Sequence, residues 1–134
     1  MSRYVTDTHA LLWHLYNNPK LSQAAKVVFD RSDAGDDEIV IPAIVLVEIV
    51  YLTEKKRIPA DAIQRNLALI TSEADNYQIA PLDAAVAQAV QRVDRSVIPE
   101  LPDRIIAATA LELGLPLITR EQWADKIDKL VVIW

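Results

Sequence analysis

Tyr4-Val5-Thr6-Asp7-Thr8-His9-Ala10-Leu11-Leu12-Trp13 is the stretch that decides the fold. Its first residues are β-branched or aromatic and read as a short strand that stops on Asp7. A helical pattern follows at once, with Ala10, Leu11, Trp13 and His14 at a 3.6-residue period. A strand running straight into a helix opens a βα unit, and in open parallel sheets ligands sit at the carboxyl ends of strands. Asp7 stands at that point. Helix capping alone would also explain it, since Asp is a favoured N-cap. Three further carboxylates, placed where capping and solvation account for them poorly, tip the reading toward a site.

Outward from this unit the alternation continues. Helices are expected over 21–31, 43–56, 60–72, 84–93 and 103–113, with a short one over 122–127; strands are expected over 38–41, 77–80, 115–119 and 131–134. Asn17-Asn18-Pro19 and the polar turn from Ser32 to Asp37 separate the early elements, and 97–102 is an irregular connection. Pro102 suits a first helical turn and Gly114 a helix C-cap. The strands are continuously apolar rather than alternating, which indicates a parallel sheet covered on both faces. The segment from Ala43 to Lys56 is apolar on nearly every side until Thr53, so it is expected to be a buried helix.

The chain has 134 residues, 51% hydrophobic and 25% charged, and reads as one domain over 1–134. It has no cysteine, which excludes disulfides and thiolate metal sites and fits a reducing compartment. No signal-peptide run precedes Asp7, and the longest apolar stretch is broken by Pro42 and Glu48, so no membrane span and a cytoplasmic location are expected. Two glycines are too few for a phosphate-cradling or dinucleotide-binding loop. The net charge of −5 argues against passive nucleic-acid binding; a polyanionic substrate would need positive charge supplied at the site.

Glu48 is the most informative of the acids. It lies in Ile44-Val45-Leu46-Val47-Glu48-Ile49-Val50-Tyr51-Leu52, with no Lys or Arg three or four residues away. Either a tertiary salt bridge neutralises it, or it sits at an edge exposed by chance, or it faces a polar cavity that requires negative charge. Asp103 falls in a helix's first turn, which the macrodipole also favours. Glu121 follows the fourth strand. If Asp7, Glu48, Asp103 and Glu121 converge on one crevice, their repulsion calls for a cation, and hard oxygen donors select Mg²⁺ or Mn²⁺ rather than zinc. Thr8, Thr119 and Thr109 could hydrogen-bond a carboxylate or a metal-bound water. His9 and His14 lack zinc-motif spacing and read as packing or surface residues, Trp13, Trp123 and Trp134 as core or interface aromatics, and Lys55-Lys56-Arg57 as a solvated helix end.

Val5-Thr6-Asp7-Thr8-His9-Ala10-Leu11-Leu12-Trp13, the helical Glu48, Pro102-Asp103-Arg104-Ile105-Ile106-Ala107-Ala108-Thr109-Ala110 and Leu115-Pro116-Leu117-Ile118-Thr119-Arg120 together resemble PIN-domain proteins, above all the VapC toxins of type II toxin–antitoxin systems. The resemblance spans essentially the whole chain. It implies a three-layer α/β/α fold with a five-stranded parallel sheet in the order 3-2-1-4-5. It also implies a Mg²⁺- or Mn²⁺-dependent ribonuclease whose acids are Asp7, Glu48, Asp103 and Glu121, the last one methylene longer than the family's usual Asp. Glu100, Thr8, Thr119 and Arg104 are supporting candidates. Implied partners are an RNA substrate, a cognate antitoxin whose tail covers the active site, and a second copy in a homodimer. An Arg or Lys of that tail is expected against Asp7, Glu48 and Asp103. Two rivals remain at this point: a catalytically weak PIN module that binds a protein partner, and a receiver-type phosphoacceptor domain. The latter wants an acidic pair after the first strand, an Asp after the third and a Lys after the fifth, whereas here the first strand offers only Asp7 and no Lys follows directly on a late strand.

Overall fold

The structure, a computed structural model, describes residues 1–72 and 76–134. In chain order the elements are β1 (Arg3–Thr6), α1 (Thr8–Leu15), α2 (Gln23–Asp33), β2 (Glu38–Pro42), α3 (Ala43–Glu54), α4 (Ala62–Thr71), β3 (Tyr77–Ala80), α5 (Ala84–Ala89), α6 (Leu101–Leu113), β4 (Leu117–Ile118) and β5 (Val132–Ile133). Short 3₁₀ turns follow α5 (Val90–Arg92) and β4 (Gln122–Lys126). The strands form one parallel sheet in the order β3-β2-β1-β4-β5, as expected, with helices on both sides. In the middle, β1 is paired on both edges, Val5 facing Val40 of β2 and Leu117 of β4.

The register explains why this sheet is buried. Val5, Ile39, Ile41, Leu117 and Ile118 are fully covered, and Leu11, Phe29 and Ile49 close over them from the helices. A smaller core under α5 and α6 holds Val93, Ile98, Ala107 and Ala108. Local caps set the helix starts: Ser22 accepts from the Ala25 N–H, and Asp83 from the Val86 N–H. Gly114 ends α6 at φ +66°, a left-handed conformation that other residues adopt at a cost.

Three expectations change. Helix α6 begins at Leu101, two residues early, with Pro102 in its first turn as expected. Strands β4 and β5 are two residues each, since only Leu117–Val132 and Ile118–Ile133 pair. The largest correction is α3, which is not buried all round. Val45 and Ile49 are covered, but Val47 is 59% exposed, Tyr51 54% and Val50 41%. The helix packs one stripe on α4, α6 and the sheet and leaves a second apolar stripe uncovered.

Candidate active site

The chain continues from β1 into α1 through Asp7, whose backbone is still extended and whose N–H bonds the Ile118 carbonyl of β4. Both of its oxygens are engaged. Oδ1 accepts from the Ala10 N–H at 2.9 Å, a true N-cap, and Oδ2 accepts from the Thr119 hydroxyl at 2.5 Å. Capping and a site role are therefore not alternatives here. The cap fixes the rotamer, and each oxygen keeps a lone-pair direction for another partner. The carboxyl is nearly buried, and burial pushes it up to about 6 despite the two hydrogen bonds.

Thr8, the next residue, donates its hydroxyl to Glu48 Oε1 at 2.5 Å and so ties that half-buried side chain to the start of α1. Among the described residues Glu48 forms no ion pair, which removes the tertiary-salt-bridge alternative. Asp103 projects from the first turn of α6 and is half-buried. Its carboxyl is held up to about 7, first by burial and then by repulsion from Glu48, Glu121, Asp7 and Glu100 in that order. Thus the other three expected acids all act on Asp103. Glu121 is the exposed member; its N–H bonds the Thr119 oxygen that also holds Asp7.

One supporting candidate, Arg104, and the possible hydrogen-bond donor Thr109 turn elsewhere. The Arg104 guanidinium donates to the Val93 and Val90 carbonyls at 3.1 and 3.2 Å, closing the 3₁₀ turn after α5, and Thr109 donates to Ile105 within its own helix. Glu100 is exposed at the start of α6, where its charge reaches Asp103 but its side chain caps nothing. In the other direction, His9, Trp13 and Arg120 join Asp7 and Glu121 around a cavity of about 110 Å³. Arg120 lies over the Trp13 ring at 4.7 Å. These three carried no site signal in the sequence beyond adjacency: His9 is two residues from Asp7, and Arg120 sits between Thr119 and Glu121.

The acids elsewhere make a useful contrast. At the amino end of the sheet Asp37 and Glu38 are also buried, yet each has its own cation, Arg31 at 2.8 Å and Arg3 at 2.8 Å. Arg31 holds the Asp37 carboxyl below the usual carboxylate range. At the carboxyl end, the acids around Asp7 repel one another, and among the described residues no ion pair relieves them. A tighter group, with donor atoms within 4.8 Å, is His14, Asp30 and Asp33; the carboxylates around Asp7 are not drawn that close. That group is already satisfied. Tyr77 and His14 bond Asp33, Lys26 bonds Asp30, and the His14 ring stacks on Phe29 at 4.5 Å.

A sequence model of the PIN domain matches residues 4–130. The chain belongs to the PIN-domain family. Within that family it is 31% identical, over the full length of both chains, to Ribonuclease VapC22 of Mycobacterium tuberculosis. It is 27% identical to the tRNA(fMet)-specific endonuclease VapC of Shigella flexneri, over 89% of this chain and 86% of that one. The PIN fold is also that of VapBC2 from Rickettsia felis, solved with a DNA fragment from its promoter (TM-score 0.72, 15% identity, 97% of this chain and 96% of that one). The PIN sheet order and the resemblance drawn from the sequence motifs both stand.

Proposed function

We propose that this PIN chain is a metal-dependent endoribonuclease and the toxin of a toxin–antitoxin pair. The observation that carries the reading is the contrast above: buried acids at one end of the sheet are paired with arginines, whereas among the described residues the acids at the other end form no ion pair. Such a set of hard oxygens suits a divalent ion, with Asp7, Glu48, Asp103 and Glu121 as the residues to hold Mg²⁺ or Mn²⁺. A bound ion supplies a water of lowered pKa and offsets charge on the scissile phosphate. The protein's part is orientation: Thr119 and the α1 cap fix Asp7, and Thr8 fixes Glu48, so ligand geometry is set before substrate arrives.

Incubating the protein with a mixed RNA pool tests this. RNA fragments are expected with Mg²⁺ or Mn²⁺ and none with a chelator; intact RNA under every divalent ion would leave a protein-binding module as the better reading.

The relatives solved as VapBC complexes support a cognate antitoxin as partner. We expect an arginine of its tail against Asp7, Glu48 and Asp103, because a guanidinium can satisfy two carboxylate oxygens at once. Ion and guanidinium would then compete, and linkage requires antitoxin-tail affinity to fall as Mg²⁺ rises at constant ionic strength. Binding indifferent to Mg²⁺ and to Asp7→Asn would put inhibition elsewhere on the surface. The uncovered stripe of Val47, Val50 and Tyr51 on α3 suits a second copy in a homodimer. Among the described residues no helix is long and apolar enough to cross a membrane. Meeting RNA in the cytoplasm is the natural setting for this activity.

A further inference from the structure

An acidic protein that acts on RNA needs cations somewhere, and their placement is informative. Lys20, Arg57 and Arg120 enter no ion pair among the described residues of this chain of net charge −5. Lys20 and Arg57 both line a cavity of about 480 Å³, together with His9, Trp13, Tyr16 and Pro59. His9 and Trp13 also wall the smaller cavity that holds Asp7 and Glu121, so the two spaces adjoin along α1. The cationic end of α3 is thus not uniformly a solvated helix end. Lys55 lies over Tyr51, 5.4 Å from the ring centre, while Arg57 faces the groove. Its aromatic members are held in place. The Tyr16 hydroxyl donates to Asp61 at 2.6 Å with Arg65 on the ring at 4.6 Å, and Trp13 is braced by Arg120 and by Trp134, 5.9 Å away.

We propose that this groove is the subsite for the nucleotide next to the scissile phosphate of a single-stranded RNA. Trp13 and Tyr16 offer the base an aromatic wall, and Lys20 and Arg57 take neighbouring phosphates. The inference rests on the ribonuclease reading above. A volume of about 480 Å³ lies within the usual range for small-ligand sites. Fixed rings beside unpaired cations are the means by which proteins hold single strands, stacking for the base and charge for the backbone. The walls shared at His9 and Trp13 set a bound nucleotide beside the cavity that holds Asp7. A polypeptide filling the apolar part of the groove is the other outcome that the test below separates.

The test is fluorescence anisotropy of a short labelled single-stranded RNA of random sequence, in an Asp7→Asn background with Mg²⁺ so that the probe stays intact. Lys20→Ala/Arg57→Ala should bind roughly ten-fold more weakly, and its slope of log affinity against log salt should flatten by about 1.4, near 0.7 for each phosphate left without its cation. Tyr16→Leu should weaken binding by a similar factor with the slope unchanged, because stacking releases no counter-ions. Affinity and slope equal to the parent's would overturn the proposal. So would variants that lose only a partner polypeptide, since the groove would then belong to that polypeptide. In the otherwise wild-type protein the double variant should act chiefly on KM, raising it roughly ten-fold. If the wild type cleaves RNA while the anisotropy ignores these variants, the subsite fails and the ribonuclease reading stands. If it cleaves nothing while the anisotropy follows them, the reverse holds.

Discussion

Asp7→Asn is expected to lose about a thousand-fold in metal-dependent RNA cleavage while the folded state becomes more stable at neutral pH. A metal site contributes several kcal/mol to the transition state, and each 1.4 kcal/mol or so is a factor of ten. The stability gain follows from burial. The folded carboxyl holds its proton up to about 6, against 3.8 for the free group. Folded chains therefore bind more protons than unfolded ones between those values, and this residue's contribution falls as pH rises through that window. Above it, keeping the group ionised costs up to about 3 kcal/mol. An amide escapes that cost and keeps the cap, since its oxygen can still accept from the Ala10 N–H and its NH₂ can donate to Thr119. Denaturant titrations of both proteins across pH check the claim. The curves should meet in acid and separate toward neutrality, with the variant the more stable. A variant that loses activity because it unfolds would make Asp7 a structural cap and nothing more. Asp103→Asn should behave alike over a window ending near 7, with a smaller gain because that side chain is half exposed to water.

The second large effect is the converse. Mg²⁺ or Mn²⁺ should raise the melting temperature of the wild type at neutral pH, because an ion that binds only the folded state stabilises it by mass action. At a hundred times the dissociation constant that is about 2.7 kcal/mol, or roughly 8 °C for a chain of this size. The increment should shrink on acidification, as protons compete for Asp7 and Asp103, whose carboxyls are held up to about 6 and about 7. It should vanish in Asp7→Asn and be reversed by a chelator. Calorimetry with and without metal across this range reads all of these at once. An equal increment in Asp7→Asn, or one growing toward acid, would place the ion elsewhere, with the His14, Asp30 and Asp33 group the first place to look.

Much of this was legible in the chain, and the reasons are particular. The β1–Asp7–α1 passage is local, so its alternation and cap could be read directly. Glu48 stood out because nothing within a helical turn could neutralise it, and its partner proved to be a hydroxyl forty residues earlier. What escaped depends on long-range packing. Helix α3 was expected to be buried because its composition is apolar, but composition says only that a face wants covering, and the fold covers one stripe of it. Arg104 looked like part of an acidic motif and instead ties down carbonyls of the preceding turn. The roles of His9 and Arg120 appear only when β4 lies beside β1, and Arg57 enters the groove only through the path of the chain after α3.

That pairing of β1 with β4 bears on how such a protein is made. The Thr119 hydroxyl that fixes Asp7 lies 112 residues downstream, and Glu121 arrives later still. During synthesis at roughly 5–20 residues per second, Asp7 leaves the ribosome seconds before the strand that completes its surroundings. A nascent chain lacking β4 has no Thr119 to orient Asp7, and the loop that closes this pairing is among the longest the chain can form. Orientation of Asp7 is therefore a late event in the making of the chain, because the bond that fixes it waits for a strand more than a hundred residues further on.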